Sequence, residues 1–218
     1  MSRGISTNRR VTSQVACLKS AGIDFIFRYY SSTTKQSEKR LTLKEAQAIS
    51  AAGMTIGVVY EDKPDNPAYF SGLRGHQDGA AACNAALKLN QPPASAIYFA
   101  VDYDATLADI GGPILEYFKG VDLGIRDACG GVARYATGVY GSGATCDFIK
   151  THCPFVKYTW LAESTGWLGS RTYTSWNVSQ AIATASLCQF SSDGYEDNRA
   201  NGEFGGFAVA SGAPADAA

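Results

Sequence analysis

The run from Ser95 to Asp104 (Ser-Ala-Ile-Tyr-Phe-Ala-Val-Asp-Tyr-Asp) constrains this chain more than any other stretch. Six apolar residues lead into two carboxylates spaced i, i+2. Strand side chains alternate faces, so Ile97, Phe99, Val101 and Tyr103 share one side and Tyr98, Ala100, Asp102 and Asp104 the other. A strand apolar on both faces belongs inside an α/β protein. Acids at its C-terminal end stand where βα barrels and open α/β sheets place their chemistry. For Asp104, which precedes Ala105-Thr106-Leu107, a turn or helix cap is the structural alternative.

The rest of the chain reads as repeated βα units. Gly4 to Thr7 is a short first strand and Val11 to Ala21 a helix, with Gly22 at its C-terminal stop. Asp24 to Tyr30 is a strand, Thr42 to Ala52 a helix opened by a Thr-Leu-Lys-Glu capping box, and Met54 to Tyr60 a strand. The steps Gly22 to Tyr29 and Gly53 to Tyr60 are both seven residues, which argues for a repeated unit with parallel strands. Helices follow over 73–89, 114–129 and 144–151, with strands at 137–141 and 157–162. Residues 163–180 read as a loop, 186–190 as a strand, and 194–207 as holding one last short strand. The expectation is one domain over 1–208, with a flexible tail over 209–218 that is rich in Ala, Pro, Gly and Asp.

Composition excludes several functions. A net charge of −1 with no basic stripe gives no reason for a nucleic-acid or anionic-membrane partner. No run reaches the roughly 18 apolar residues of a membrane span. Met1 to Arg10 lacks the apolar core of a secretory signal, so the expectation is synthesis in the cytoplasm and release by lysis or a secretion system. With only His76 and His152, a His-rich metal site is not expected, nor is any cofactor. Neither a Gly-x-Ser-x-Gly elbow nor a phosphate-binding loop occurs. The six cysteines show no Cys-x-x-Cys pair and read mostly as buried thiols; Cys146 and Cys153 are the pair placed to bridge one short element.

If the larger apolar residues face the surrounding helices, Phe25, Phe27, Ile56, Val58 and Val139 point outward. Ile26, Arg28, Tyr30, Gly57, Val59, Glu61 and Tyr140 then point inward. Arg28, Tyr30, Glu61, Asp102, Asp104 and Tyr140 gather at one mouth on that reading. Trp160 and Glu163 have opposite parity and share it only if Glu163 lies in the loop. Acids ringed by aromatics suit glycoside chemistry. One carboxyl protonates the departing oxygen and another supports the cationic centre. Acids placed close together repel, which raises the pKa of one.

In order along the chain, Gly4-Ile5-Ser6, Phe25-Ile26-Phe27-Arg28-Tyr29, Gly57-Val58-Val59-Tyr60, Ile97 to Asp102, Thr137-Gly138-Val139-Tyr140, Trp160-Leu161-Ala162, Gln189-Phe190 and Gly194 to Asn198 resemble a known family. It is the glycoside hydrolase-like domain of unknown function 1906, related to the family 25 glycoside hydrolases, the lysozymes of phages, bacteria and fungi. The resemblance implies a single irregular TIM-like βα barrel, five βα units followed by three strands. The expected activity is that of a peptidoglycan hydrolase cutting β-1,4 bonds in the bacterial cell-wall glycan, and the expected state is a monomer. In the lysozyme relatives the fourth strand ends in Asp-x-Glu, which falls on Asp102 and Asp104. Asp104 is then the expected acid/base and Asp102 the stabilising or orienting acid, with Glu61 the third catalytic carboxyl. Arg28, Tyr30, Tyr60, Tyr140, Trp160, Glu163, Gln189 and Glu196 are the expected substrate contacts. The first-strand Asp of the relatives falls on Ser6, and the late Asp on Glu196. A non-catalytic wall-binding barrel and a hydrolase of another polysaccharide are the alternatives.

Overall fold

The computed structural model describes residues 1–210. Its strands are β1 (Ser2–Ser6), β2 (Phe25–Tyr30), β3 (Thr55–Tyr60), β4 (Ala96–Ala100), β5 (Ala136–Gly141), β6 (Val156–Ala162), β7 (Val178–Ile182) and β8 (Glu196–Ala200). They close into one barrel in sequence order. β1 to β7 run parallel, and β8 is antiparallel to both β7 and β1. Helices α1 (Val15–Ser20), α2 (Leu43–Ala51), α3 (Gly72–Lys88), the single turn α4 (Leu107–Asp109), α5 (Leu115–Ala128) and α6 (Gly143–His152) cover the strands up to β6. The expected five βα units followed by three strands are present. β8 enters from the opposite end, so its first residue, Glu196, sits at the rim where the parallel strands finish, paired with Ser6.

The barrel interior reverses the expected parity of β2. Phe25 and Phe27 point inward, together with Tyr98, Trp160 and Phe204. Three of these rings are registered against a glycine: Phe25 with Gly4, Phe27 with Gly57, and Tyr98 with Gly138. A Cβ at these glycines would stand 2.3 Å from the Phe25 ring, 2.5 Å from Phe27 and 2.5 Å from Tyr98. The premise that large apolar residues face the helices therefore fails on β2. A closed eight-stranded barrel must fill its own centre, and alternating large and small neighbours does so. Phe27 stacks at 4.1 Å on Trp160, and Tyr98 donates its hydroxyl to the Phe204 carbonyl at 2.8 Å.

Outside the barrel, α3 and α5 cross backbone on backbone. A Cβ on Gly75 would lie 1.9 Å from the Tyr117 carbonyl, and one on Gly124 would lie 2.0 Å from the His76 carbonyl. The expected strand over 186–190 is a loop with one isolated Leu187–Phe190 bridge, and β7 begins instead in the last residues of the segment read as loop and runs on to Ile182. β7 carries Ser179 and Gln180 in place of an apolar run, which hid it.

Cys17 bonds Cys188 and Cys83 bonds Cys129, while Cys146 and Cys153 are free and buried. The reading of mostly buried thiols is thus corrected, as is the Cys146–Cys153 pairing. Seven residues along a helix rise about 10 Å, beyond the roughly 7 Å Cα separation a disulfide spans. Val209 is buried and its N–H donates to Ser50 Oγ at 2.9 Å, so the ordered chain extends past 208. The rest of the expected tail, from residue 211 on, lies outside the described residues.

Candidate active site

At the rim where the parallel strands end, a cavity of about 130 Å³ is lined by Tyr29, Val59, Glu61, Asp102, Tyr140, Trp160, Gln180 and Glu196. Seven strands, β2 to β8, deliver these groups, or the turns just beyond them do. Glu61 follows β3, held by its N–H to the Tyr30 carbonyl at 3.0 Å. Asp102 lies two residues past β4, held by its N–H to the Pro64 carbonyl at 2.9 Å. Tyr140, Trp160 and Gln180 project from β5, β6 and β7, and Glu196 opens β8.

Three carboxyls converge here. Asp102 is exposed on its outer side, as Asp104 is, yet protein crowds the rest of its carboxyl. Burial, then the charge of Glu61, push its pKa up to about 6, with Lys39 pulling the other way. Glu196 is also raised, by burial first, although the hydrogen bond from Ser6 pulls it down. Lys39 Nζ sits 2.6 Å from Glu61 Oε1 and 4.7 Å from the Tyr29 ring centroid. Burial, then the neighbouring carboxylates, keep the phenols of Tyr29 and Tyr140 well above the ordinary tyrosine pKa, so both are protonated donors.

A chain of hydrogen bonds backs the cavity. The Tyr140 hydroxyl donates to Gln180 Oε1 at 2.7 Å, and Gln180 Nε2 donates to Ser6 Oγ at 2.8 Å. Trp160 Nε1 donates to Asn198 Oδ1 at 2.9 Å, and Asn198 Nδ2 to Ser6 Oγ at 2.9 Å. Ser6 Oγ donates to Glu196 Oε2 at 3.1 Å. Among the described residues no cluster of three His, Cys, Asp or Glu side chains is set to hold a metal ion.

Of the residues expected from the sequence, Glu61, Asp102, Tyr140, Trp160 and Glu196 meet in this cavity, and the other six lie elsewhere. Asp104 is exposed and its Oδ1 accepts the Leu168 N–H at 2.7 Å, tying down the loop after β6. β4 ends at Ala100 and the chain turns, so the i, i+2 alternation stops before Asp104. Arg28 is fully buried on the outer side of β2. Its Nε meets Glu45 Oε1 at 3.0 Å, and its other nitrogens reach the Thr7 and Glu38 carbonyls. The Tyr30 hydroxyl donates to Gln91 Oε1 at 2.7 Å, and that of Tyr60 donates to Asp62 Oδ2 at 3.0 Å and accepts from Ser32 Oγ at 2.9 Å. Glu163 is exposed in a separate groove with Arg171, Tyr173 and Trp176. Gln189 accepts from Gln14 at 2.5 Å beside the Cys17–Cys188 bridge.

Tyr29 and Gln180 were missed. The glycines in β1 and β3 were the available signal for Tyr29, since they mark where the ring-bearing face of β2 turns inward. Nothing in the segment around Gln180 announced a strand.

A family model described as the Rv2525c-like, glycoside hydrolase-like domain matches residues 16–203. The uncharacterized protein FadG of Bacillus subtilis (strain 168) is 28% identical over 167 residues, covering 75% of this chain and 28% of that protein. The chain thus spans little more than a quarter of that relative. Among solved structures, the Tat-secreted protein Rv2525c of Mycobacterium tuberculosis superposes with a TM-score of 0.75 at 18% identity, covering 94% of this chain and 98% of that one. GHIP, a glycosyl hydrolase 25 of Streptococcus pneumoniae, superposes with a TM-score of 0.61 at 12% identity, covering 92% of this chain and 87% of that one. With its fold shared by a family 25 hydrolase and the family model running through most of its length, the chain belongs to the Rv2525c-like glycoside hydrolase-like family.

Proposed function

We propose that this barrel is a lysozyme-like glycoside hydrolase whose substrate is the glycan strand of bacterial peptidoglycan. The observation that carries the reading is Asp102, an acid raised to about 6 between two further carboxyls in an aromatic-lined cavity. At mildly acidic pH Asp102 holds a proton it can give to the glycosidic oxygen as the C–O bond breaks. A second carboxylate, Glu61 or Glu196, supports the positive charge left on the sugar carbon. Water then adds to that carbon, and the proton it loses restores the resting charge of the site. Tyr29, half-buried at the rim, presents aromatic surface to the apolar face of a sugar ring, above a floor formed by the buried Tyr140 and Trp160. Asp104 has no part in this scheme, because its carboxylate is engaged by Leu168. Proton transfer between carboxyls needs no cofactor.

Two disulfides support a place of action outside the reducing cytoplasm, where the wall lies. Release by lysis or carriage by a secretion system is part of the same proposal. A second reading, a wall-binding barrel without catalysis, draws support from the Lys39–Glu61 pair and from the uncharged Ser6.

Purified cell wall incubated with the protein and with Asp102→Asn separates the readings. Loss of turbidity and appearance of new reducing ends with wild type, absent with the variant, supports hydrolysis. Sedimentation with the wall and no new ends supports the binding reading. Ends released only from another polysaccharide would redirect the substrate.

A further inference from the structure

Ser6 occupies the last position of β1 and is fully buried. Three polar atoms surround its Oγ: Gln180 Nε2 at 2.8 Å, Asn198 Nδ2 at 2.9 Å and Glu196 Oε2 at 3.1 Å. A hydroxyl has one hydrogen to give. Where it goes follows from the two amides. The indole N–H of Trp160 only donates, and it points at Asn198 Oδ1 at 2.9 Å. Asn198 must therefore turn its NH₂ toward Ser6. The Tyr140 phenol stays protonated and gives its hydrogen to Gln180 Oε1 at 2.7 Å, which turns the Gln180 NH₂ toward Ser6 as well. With both amides donating, Ser6 accepts twice. Its own hydrogen has one destination, the Glu196 carboxylate.

β4 and β8 lie four strands apart in a closed ring of eight, so Asp102 and Glu196 face each other across the mouth. Glu61, just past β3, is next to Asp102 and is paired with Lys39. An acid and a base that work on one glycosidic bond must flank it. We infer that Ser6 is a positioning residue that holds Glu196 as an anion across from Asp102, which makes Glu196 the carboxylate serving the cationic carbon. That last role rests on the glycosidase reading; the ionisation of Glu196 does not.

The groups facing Glu196 are Glu61 after β3, Asp102 after β4, and the phenols of Tyr29 on β2 and Tyr140 on β5. Both acids push its pKa up, as does burial, and the Ser6 hydroxyl opposes them. The opposite arrangement has Glu196 protonated and donating to Ser6. It would require Gln180 to turn about and leave the Tyr140 hydrogen without its acceptor.

The test is an NMR pH titration of the Glu196 side-chain carboxyl in wild type, Ser6→Ala, Ser6→Cys and Ser6→Thr. Removing the donor in Ser6→Ala raises the Glu196 pKa by about one pH unit. Ser6→Cys gives a smaller rise, because a thiol donates weakly. Ser6→Thr, which keeps the hydroxyl, titrates as wild type. If Ser6→Ala does not fold, Ser6→Cys against Ser6→Thr decides. An unchanged Glu196 in the alanine or cysteine variant overturns the inference, as does a wild-type Glu196 that gains its proton at higher pH than Asp102. On wall glycan, the acid limb of the pH–rate profile moves with the Glu196 pKa. Movement of Glu196 without hydrolysis of any glycan sinks the glycosidase reading and leaves the Ser6–Glu196 coupling standing. Hydrolysis with a Glu196 indifferent to Ser6 does the reverse.

Discussion

Glu61 and Asp62 are neighbours in sequence and belong to two opposite worlds. Glu61 turns into the barrel mouth and joins Asp102 and Glu196. Asp62 turns outward and is saturated with donors. Its Oδ1 accepts from Ser31 Oγ at 2.5 Å and the N–H groups of Ser32 and Thr33 at 2.9 and 3.0 Å. Its Oδ2 accepts from Tyr60 at 3.0 Å and Arg74 at 2.9 Å. Burial pushes the Asp62 pKa up, but the hydrogen bonds from Ser31, Thr33 and Tyr60 outweigh it, and the net shift is downward. Asp102 moves the other way. Among the described residues no hydrogen bond to its carboxyl offsets burial and the charge of Glu61. An acid that braces loops is satisfied by the protein, whereas an acid kept for chemistry is left for the substrate to satisfy.

The sharpest break between the two clusters is expected from isosteric amides. Asp102→Asn lowers glycan hydrolysis by about a thousandfold, the scale of a lost general acid, and leaves the melting temperature unchanged or higher. Asp62→Asn does the opposite: the fold weakens because an amide cannot accept all five donors, while the rate at a temperature where the variant is folded stays near wild type. Parallel melting curves and turnover on wall glycan check both. A drop in melting temperature for Asp102→Asn larger than that for Asp62→Asn would reverse the assignment.

Next in size is Arg74, which joins Asp62 to Asp78 at 2.9 Å each. Asp78 also accepts the hydroxyls of Tyr69 at 2.6 Å and Tyr117 at 2.9 Å, so one guanidinium pins the loop after β3 to α3 and α5. Both carboxylates are buried, and Arg74→Met strands them. The expected loss is about 3 kcal/mol in denaturant unfolding, since breaking a buried pair leaves its partner uncompensated. A loss below about 0.5 kcal/mol would show that the pair behaves as an exposed one.

The two acids also predict opposite pH slopes. Asp62 has a lowered folded-state pKa, so its contribution is present above its unfolded value near 3.8 and is lost as pH falls below it. Asp102 has a raised one: the folded state holds its proton between about 3.8 and 6, so stability declines as pH rises through that window. Melting curves from pH 3 to 8 in Asp102→Asn should flatten the second slope, leaving the share of the other raised acids, Glu196 and Asp78, and keep the first. Hydrolysis should fall above about pH 6 as Asp102 gives up its proton.

How much of this the amino-acid order disclosed follows from where strand alternation holds. Asp102, Tyr140 and Trp160 were reached because a buried strand leads directly into each. Asp104 was misplaced because alternation was carried four residues beyond β4, into a turn. Arg28 and Tyr30 were misplaced because the parity of β2 depends on glycines in its neighbours, a fact about pairing rather than about β2 itself. Gln180 was out of reach because its strand is polar and short, and it exists only through pairing with β6 and β8. Closure of the barrel and the order of its units were legible; which face of each strand fills the centre was not.

The finest distinction rests on Lys39. Among the described residues it is the cation paired with the mouth cluster, 2.6 Å from Glu61 and resting over Tyr29. Its charge holds the Asp102 pKa down, against burial and Glu61. Lys39→Met removes that pull and leaves Glu61 uncompensated, so the Asp102 pKa rises. The alkaline limb of the pH–rate profile should move up by about half a pH unit at low salt and by less at high salt, because a partly exposed charge is screened. The Asp62 cluster has no contact with Lys39, so the acid-side stability slope should stay where it was. An alkaline limb that does not move in the variant would mean that water, rather than Lys39, sets the charge balance of the mouth. The contrast between the two clusters would then rest on hydrogen bonding alone.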